Sequence, residues 1–318
     1  MKILCGFDLS HIPETRRILE SLGEVRYLDY SREELAALLP EVEVLYTSLK
    51  VRVDRELLER APRLRCIATP STGTDHLDLQ AAEALGIPVL SLKHETAFLR
   101  SVTATAELAF ALILSAMRNL PFAFDAVRGG EWESQRFRGH QVYEKTLGII
   151  GYGRLGEMMG RYGLAFGMRV LACDPYKTVT EPGIEQMELE ALLREADVVT
   201  VHVHLNEETR GMLSHPEFGL MKPGAYLVNT SRGAVIDDTA FLQALESGRL
   251  AGAGVDVLAG ELDGPIGDHP LVQYARTHGN LVITPHMGGV TYESQEKAFT
   301  YTAERVRLLV QSSELRQV

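Results

Sequence analysis

Thr146-Leu147-Gly148-Ile149-Ile150-Gly151-Tyr152-Gly153-Arg154-Leu155-Gly156 is the stretch from which the rest of the chain can be read. A short apolar run, Leu147 to Ile150, ends in the spacing Gly-x-Gly-x-x-Gly, and a helix-compatible segment, Glu157 to Phe166, follows. A second apolar run, Arg169 to Cys173, stops at Asp174, eighteen residues beyond Gly156. Strand, glycine turn, helix, strand and acidic residue stand in the order that a dinucleotide site requires. A bare glycine spacing would match many turns; the flanking elements give it meaning. Gly151 permits the tight turn, Gly153 lets a pyrophosphate approach the backbone, and Gly156 lets the helix pack on the strand. The free N–H groups and positive end of that helix suit phosphate charge. A carboxylate ending the second strand binds a ribose diol and repels a 2′-phosphate, so Asp174 favours NAD over NADP. Lys177 lies near enough to soften that preference.

Working outward, the first hundred residues alternate short apolar runs with amphipathic segments. Strands are predicted at Lys2–Phe7, Val25–Leu28, Val44–Thr47, Leu64–Thr69 and Pro88–Ser91, and helices at Pro13–Leu22, Arg32–Leu39, Asp54–Arg60 and Leu79–Leu85. Ser31 and Asp54 are expected N-caps. Such alternation predicts a parallel sheet covered on both faces. A helix over Val102–Met117 is too apolar all round for a surface, so it is expected to be buried between domains or subunits. A second series then begins, with strands near 148–151, 169–173, 198–203, 225–229, 252–257 and 281–284. Six strands would complete a dinucleotide-binding sheet. A final amphipathic helix is predicted from about Thr291 to Gln311.

The fold class is therefore α/β, with two doubly wound parallel-sheet (Rossmann-like) domains and the active site expected in the cleft between them. Residues 1–99 plus 287–318 form the expected substrate-binding domain and residues 100–286 the NAD-binding domain. A length of 318 residues suits two domains. The net charge of −11 argues against nucleic acid and anionic membranes as partners. No apolar run is long enough to span a bilayer, and Met1 leads straight into a strand pattern with no signal peptide, so a cytoplasmic protein is expected. Cys5, Cys66 and Cys173 are far apart and near apolar runs, which suits reduced thiols; no metal site is expected.

Three clusters of reactive side chains fall just after late strands, where ligands bind in open α/β sheets. The first is Val228-Asn229-Thr230-Ser231-Arg232-Gly233, whose guanidinium fits a carboxylate. Next comes Val255-Asp256-Val257-Leu258-Ala259-Gly260-Glu261. The third, Ile283-Thr284-Pro285-His286-Met287-Gly288-Gly289, offers an imidazole able to exchange a proton near neutral pH, and glycines that free the backbone for a ligand.

Together with Asp197-Val198-Val199-Thr200-Val201-His202 and Glu208-Thr209-Arg210-Gly211, these motifs resemble the D-isomer-specific 2-hydroxyacid dehydrogenases along essentially the whole chain. The resemblance implies that His286 is the acid/base, Glu261 its partner and Arg232 the substrate anchor, acting on a small 2-hydroxy or 2-keto acid with NAD(H). It also implies that backbone amides of the loop Ser71-Thr72-Gly73-Thr74, at Ser71, Gly73 and Thr74, bind the substrate carboxylate. Arg154 and Leu155 would lie at the pyrophosphate, Thr230 by the nicotinamide ribose, Asp256 at the carboxamide and Thr105 beside the nicotinamide, with Gly288 a further cofactor-binding position. His202 belongs to the wall of the cofactor site, although His202-Val203-His204 lacks the proline of many relatives. Leu262-Asp263-Gly264 likewise departs from the proline usual after the glutamate. Tyr46-Thr47-Ser48 lacks an arginine carried by some phosphoglycerate enzymes, which remain one alternative. An NADH-sensing corepressor on the same fold is another. Neither terminus shows the extended arm expected of such a protein. A homodimer is expected from the Val102–Met117 helix and the arm through Trp132.

Overall fold

Strands buried on both faces need helices above and below, and the central strands of this chain are of that kind. The computed structural model describes residues 1–314. The chain divides into two units, residues 1–102 with the segment from Gly289 onward, and Thr103–Gly288.

The first unit holds β1 (Lys2–Cys5), β2 (Glu24–Tyr27), β3 (Val44–Tyr46), β4 (Cys66–Ala68) and β5 (Val89–Leu90) in the order β2-β1-β3-β4-β5. All neighbours are parallel. The predicted caps form: Ser31 accepts from the Glu34 N–H at 3.2 Å while Glu34 accepts from the Ser31 N–H at 2.8 Å, and Asp54 accepts from the Leu57 N–H at 3.2 Å. Each satisfies an N–H that the helix leaves unpaired. The last helix, Tyr292–Glu314, returns to this unit and packs against the Pro13–Leu22 helix. Burial pushes the Cys5 and Cys66 thiols up to about 12, which keeps them protonated and unreactive. Cys173 is half-buried.

The second unit contains β6 (Thr146–Ile150), β7 (Arg169–Cys173), β8 (Ile184–Gln186), β9 (Val198–Val201), β10 (Ala225–Asn229), β11 (Leu250–Val255) and β12 (Leu281–Ile283). Their order is β12-β11-β10-β9-β6-β7-β8, all parallel. The sheet thus has seven strands rather than the expected six. The extra one, β8, is Ile-Glu-Gln at a sheet edge with both polar residues exposed, so no apolar run marks it. Strands run outward from β6 in one direction and from β9 in the other. A crevice therefore opens beyond the C-terminal ends of β6 and β9, where the winding reverses.

The apolar helix begins at Ala104 and ends at Met117. Its burial has a different cause from the one expected. It lies on β10, β11 and the Arg154–Ala165 helix of its own unit, with Ala106, Ala109, Leu112, Ile113 and Met117 in that core. An apolar run reports burial without reporting what supplies the cover. Among the described residues, no single helix is long and apolar enough to cross a membrane.

Candidate active site

The glycine turn follows β6 at the reversal point. Gly151 has φ of +88°, and a β-carbon on it would lie 2.8 Å from the His202 carbonyl oxygen. A β-carbon on Gly156 would lie 2.3 Å from the Gly151 carbonyl oxygen, so helix and turn meet backbone to backbone. The helix begins at Arg154, three residues earlier than its apolar pattern shows, and includes Leu155 and Gly156 in its first turn. Gly153 caps it at an ordinary φ of −75°, no side chain bonds to the cap, and a β-carbon there would meet nothing within 4 Å. Open space at a helix N-terminus whose cap carries no side chain suits a pyrophosphate.

Asp174, just past β7, accepts the Tyr152 N–H at 2.8 Å and the Tyr176 N–H at 2.9 Å, one on each carboxylate oxygen. These bonds fix it beside the turn and leave lone pairs for a diol. Lys177 is engaged by Glu157 and stands 5.3 Å from the centre of the Tyr152 ring. Its charge is thereby compensated, which weakens any pull on a 2′-phosphate.

His202 ends β9. Its N–H donates to Ile150 at 2.8 Å, its Nε2 lies 2.8 Å from the Thr200 hydroxyl, and its Nδ1 is buried without a partner. Burial lowers its pKa to about 3, so the ring is neutral. The Thr230 hydroxyl, just past β10, is also buried without a partner. An orphaned hydroxyl beside the crevice fits a missing hydrogen-bonding ligand such as a nucleotide ribose.

Arg232, Glu261 and His286 follow β10, β11 and β12 respectively. His286 adopts a left-handed backbone, φ +52°, uncommon outside glycine. Its N–H donates to the Asp256 carbonyl at 2.9 Å, and its Nδ1 lies 2.5 Å from Glu261 Oε1. Glu261 Oε2 accepts the Leu258 N–H at 3.1 Å. Burial alone would raise the Glu261 carboxyl, but the hydrogen bond and charge of His286, the Leu258 N–H and the Arg232 charge hold it below the usual carboxylate range. Both ring partners are only about a quarter exposed, at 29% and 26%. Arg232 donates from Nη1 to the Ser231 carbonyl at 2.7 Å.

The structural roles of Asn229 and Asp256 beneath this cluster are not legible in the sequence. Asn229 accepts from the Ser231 N–H at 2.9 Å and donates to the Arg232 carbonyl at 2.9 Å, folding the turn that carries the guanidinium. Asp256 is 1% exposed and accepts from the Thr284 hydroxyl at 2.6 Å, the Met287 N–H at 2.9 Å and the Gly288 N–H at 2.8 Å. Gly288 in turn accepts from the Thr105 hydroxyl at 3.1 Å. Asp256 therefore builds the His286 loop, whatever it does for a cofactor. Replacing it by Ala strands three donors, of which the Gly288 N–H is buried and the other two partly so. We expect a loss of about 2–4 kcal/mol in denaturant unfolding of the second unit; an unchanged midpoint would refute this supporting role.

In the first unit, Ser71, Gly73 and Thr74 follow β4. The Ser71 hydroxyl donates to the Gly73 carbonyl at 2.7 Å, and the Thr74 carbonyl accepts from the Leu77 N–H at 2.9 Å. Among the described residues, no group of three or more His, Cys, Asp or Glu side chains is placed to hold a metal ion.

A doubly wound sheet with a glycine turn at its reversal point, and an imidazole–carboxylate pair beyond its late strands, defines a dinucleotide-binding α/β protein equipped for proton transfer. The model of the NAD-binding domain of D-isomer specific 2-hydroxyacid dehydrogenases matches residues 110–288, and the chain belongs to that family. It is 36% identical over 296 residues to D-3-phosphoglycerate dehydrogenase of Methanocaldococcus jannaschii, covering 92% of this chain and 54% of that one. The chain thus spans about half the length of that relative. It is 33% identical over 283 residues to hydroxypyruvate reductase of Thermotoga maritima, covering 89% and 90%. The crystal structure of D-lactate dehydrogenase from Aquifex aeolicus, complexed with NAD and lactic acid, superposes with a TM-score of 0.84 at 30% identity, covering 100% of this chain and 97% of that one.

Proposed function

We propose that the protein is an NAD-dependent oxidoreductase that interconverts a small D-2-hydroxy acid and its 2-keto acid, of the glyoxylate or hydroxypyruvate type. The contact between His286 and Glu261 carries this reading. Bound NADH would supply the hydride. Ionised Glu261 accepts from the Nδ1–H of His286, which leaves Nε2 to face the substrate. In reduction, the protonated ring gives its Nε2 proton to the substrate oxygen as charge develops there; in oxidation, neutral Nε2 takes the hydroxyl proton. Arg232 holds the carboxylate and keto oxygen, fixing the carbon for attack. The backbone at Ser71, Gly73 and Thr74 is assigned to the substrate carboxylate, and the first unit to substrate binding.

Cofactor binding is assigned to Gly151, Gly153, Arg154, Leu155 and Gly156 at the pyrophosphate, and to Asp174 at the adenine ribose. His202, Thr230, Thr105 and Gly288 complete the site. Asp256 is assigned to the carboxamide through the acceptor capacity its own loop leaves unused. NAD is assigned in preference to NADP. Replacing Asp174 by Ala should narrow the NADH-over-NADPH ratio of kcat/KM by about tenfold; an unchanged ratio would count against the ribose role.

A cytoplasmic homodimer is also proposed. Leu120, Phe124, Val127 and Trp132 are 50%, 65%, 51% and 90% exposed, an apolar set that a second copy would cover. Loss of reduced-nicotinamide absorbance with glyoxylate, hydroxypyruvate, pyruvate, phenylpyruvate and phosphohydroxypyruvate tests the reaction and chooses the substrate. Turnover confined to the phosphorylated acid would favour a phosphoglycerate dehydrogenase. Quenching of protein fluorescence by NADH without turnover of any acid would favour an NADH sensor.

A further inference from the structure

Glu261 sits on a largely exposed loop between β11 and the Pro270–Ala275 helix. A carboxylate that must meet an imidazole cannot rely on such a loop unless the loop is tied down. Two ties are present. The first lies beneath it: a β-carbon on Gly233 would fall 2.0 Å from the Leu258 carbonyl carbon and 2.1 Å from the Ala259 nitrogen, so the Arg232–Gly233 backbone presses directly on the loop's start. The second is His269, at the loop's far end and only 11% exposed in its side chain.

The ring of His269 divides its two nitrogens. Nδ1 accepts the Leu271 N–H at 3.2 Å, capping the following helix. A nitrogen that accepts carries no proton, so the neutral ring bears its proton on Nε2. Nε2 faces two acceptors, the Ala259 carbonyl at 3.1 Å and Asp238 Oδ2 at 3.3 Å. Ala259 is two residues from Glu261, and Asp238 begins the Asp238–Glu246 helix. One imidazole thus joins the two ends of the Glu261 loop to the helix that follows the Arg232 turn.

We propose that His269, oriented by Asp238, is a positioning residue that holds the Ala259 carbonyl and so keeps Glu261 against His286, an inference that rests on the proposed roles of that pair. Asn and Gln separate its two tasks. In His269→Asn the side-chain oxygen can still cap the Leu271 N–H, but no donor reaches Ala259. In His269→Gln the terminal amide nitrogen stands where Nε2 stood and can donate to Ala259.

The closing experiment compares both variants by kcat, by KM for the keto acid, by NADH affinity and by the downfield proton resonance of the His286 ring N–H, assigned by its loss in His286→Ala. His269→Asn should lower kcat about tenfold, keep NADH affinity and lose or broaden the resonance; His269→Gln should recover most of both. A merely structural cap would give the reverse order, with Asn the milder change. That order, or an unaltered resonance in His269→Asn, overturns the inference. If the unaltered protein turns over no acid, the proposed reaction fails, and the resonance comparison still decides whether His269 positions the pair.

Discussion

Keto-acid reduction should fall by about 10²- to 10⁴-fold in His286→Ala, the range that a positioned acid/base contributes, while NADH affinity stays within about threefold of its starting value, since an effect under 1 kcal/mol is expected there. The asymmetry follows from where the side chain points. Its Nδ1 is held by Glu261, whereas the backbone N–H to Asp256, and the Met287 and Gly288 N–H bonds beside it, shape the loop without help from the ring. One complication can be separated out. At φ +52°, alanine pays about 1 kcal/mol that histidine's partners now offset. His286→Asn is the suitable control, because asparagine tolerates that backbone conformation and transfers no proton. Both variants should lose turnover alike, measured by stopped-flow reduction at saturating NADH. Activity retained in both would remove His286 from proton transfer and, with it, the oxidoreductase mechanism proposed here.

What could be read from the chain and what could not divide along physical lines. Strand and turn positions are written locally: β6, β7 and the turn between them appear as apolar runs and glycines, and Ser31 and Asp54 as caps. Arg232, Glu261 and His286 stand out because each follows a strand. The supports are of another kind. Asp256 reaches Met287 and Gly288, His269 reaches Asp238, and Glu157 takes up Lys177, each across 20 or more residues with no pattern to announce it. β8 escaped because an edge strand needs no apolar face. The apolar helix was seen as buried, but its cover is a choice made by packing, here the sheet of its own unit.

The glycine turn offers the second large effect, because two of its glycines should fail in different ways. In Gly156→Ala, the new methyl would lie 2.3 Å from a backbone carbonyl oxygen that no rotamer can move. The Arg154–Ala165 helix must then shift off the turn. The roughly 1 kcal/mol that alanine gains over glycine inside a helix is outweighed by overpacking of about 3 kcal/mol or more. Both thermal stability and NADH affinity should drop. In Gly153→Ala the folded chain has room: φ is −75° and nothing lies within 4 Å of the new carbon. Stability should change by less than about 1 kcal/mol, the cost of replacing a glycine cap. The methyl would nevertheless fill the space over the first-turn N–H groups, through which a pyrophosphate must come to bond them. NADH affinity should therefore weaken by more than about tenfold, a loss above 1.4 kcal/mol. Titration of each variant with NADH, beside its melting curve, separates the two. A Gly153→Ala protein that melts and binds NADH as before would mean that the phosphates do not sit on this turn, and the cofactor site would have to be sought elsewhere on the sheet.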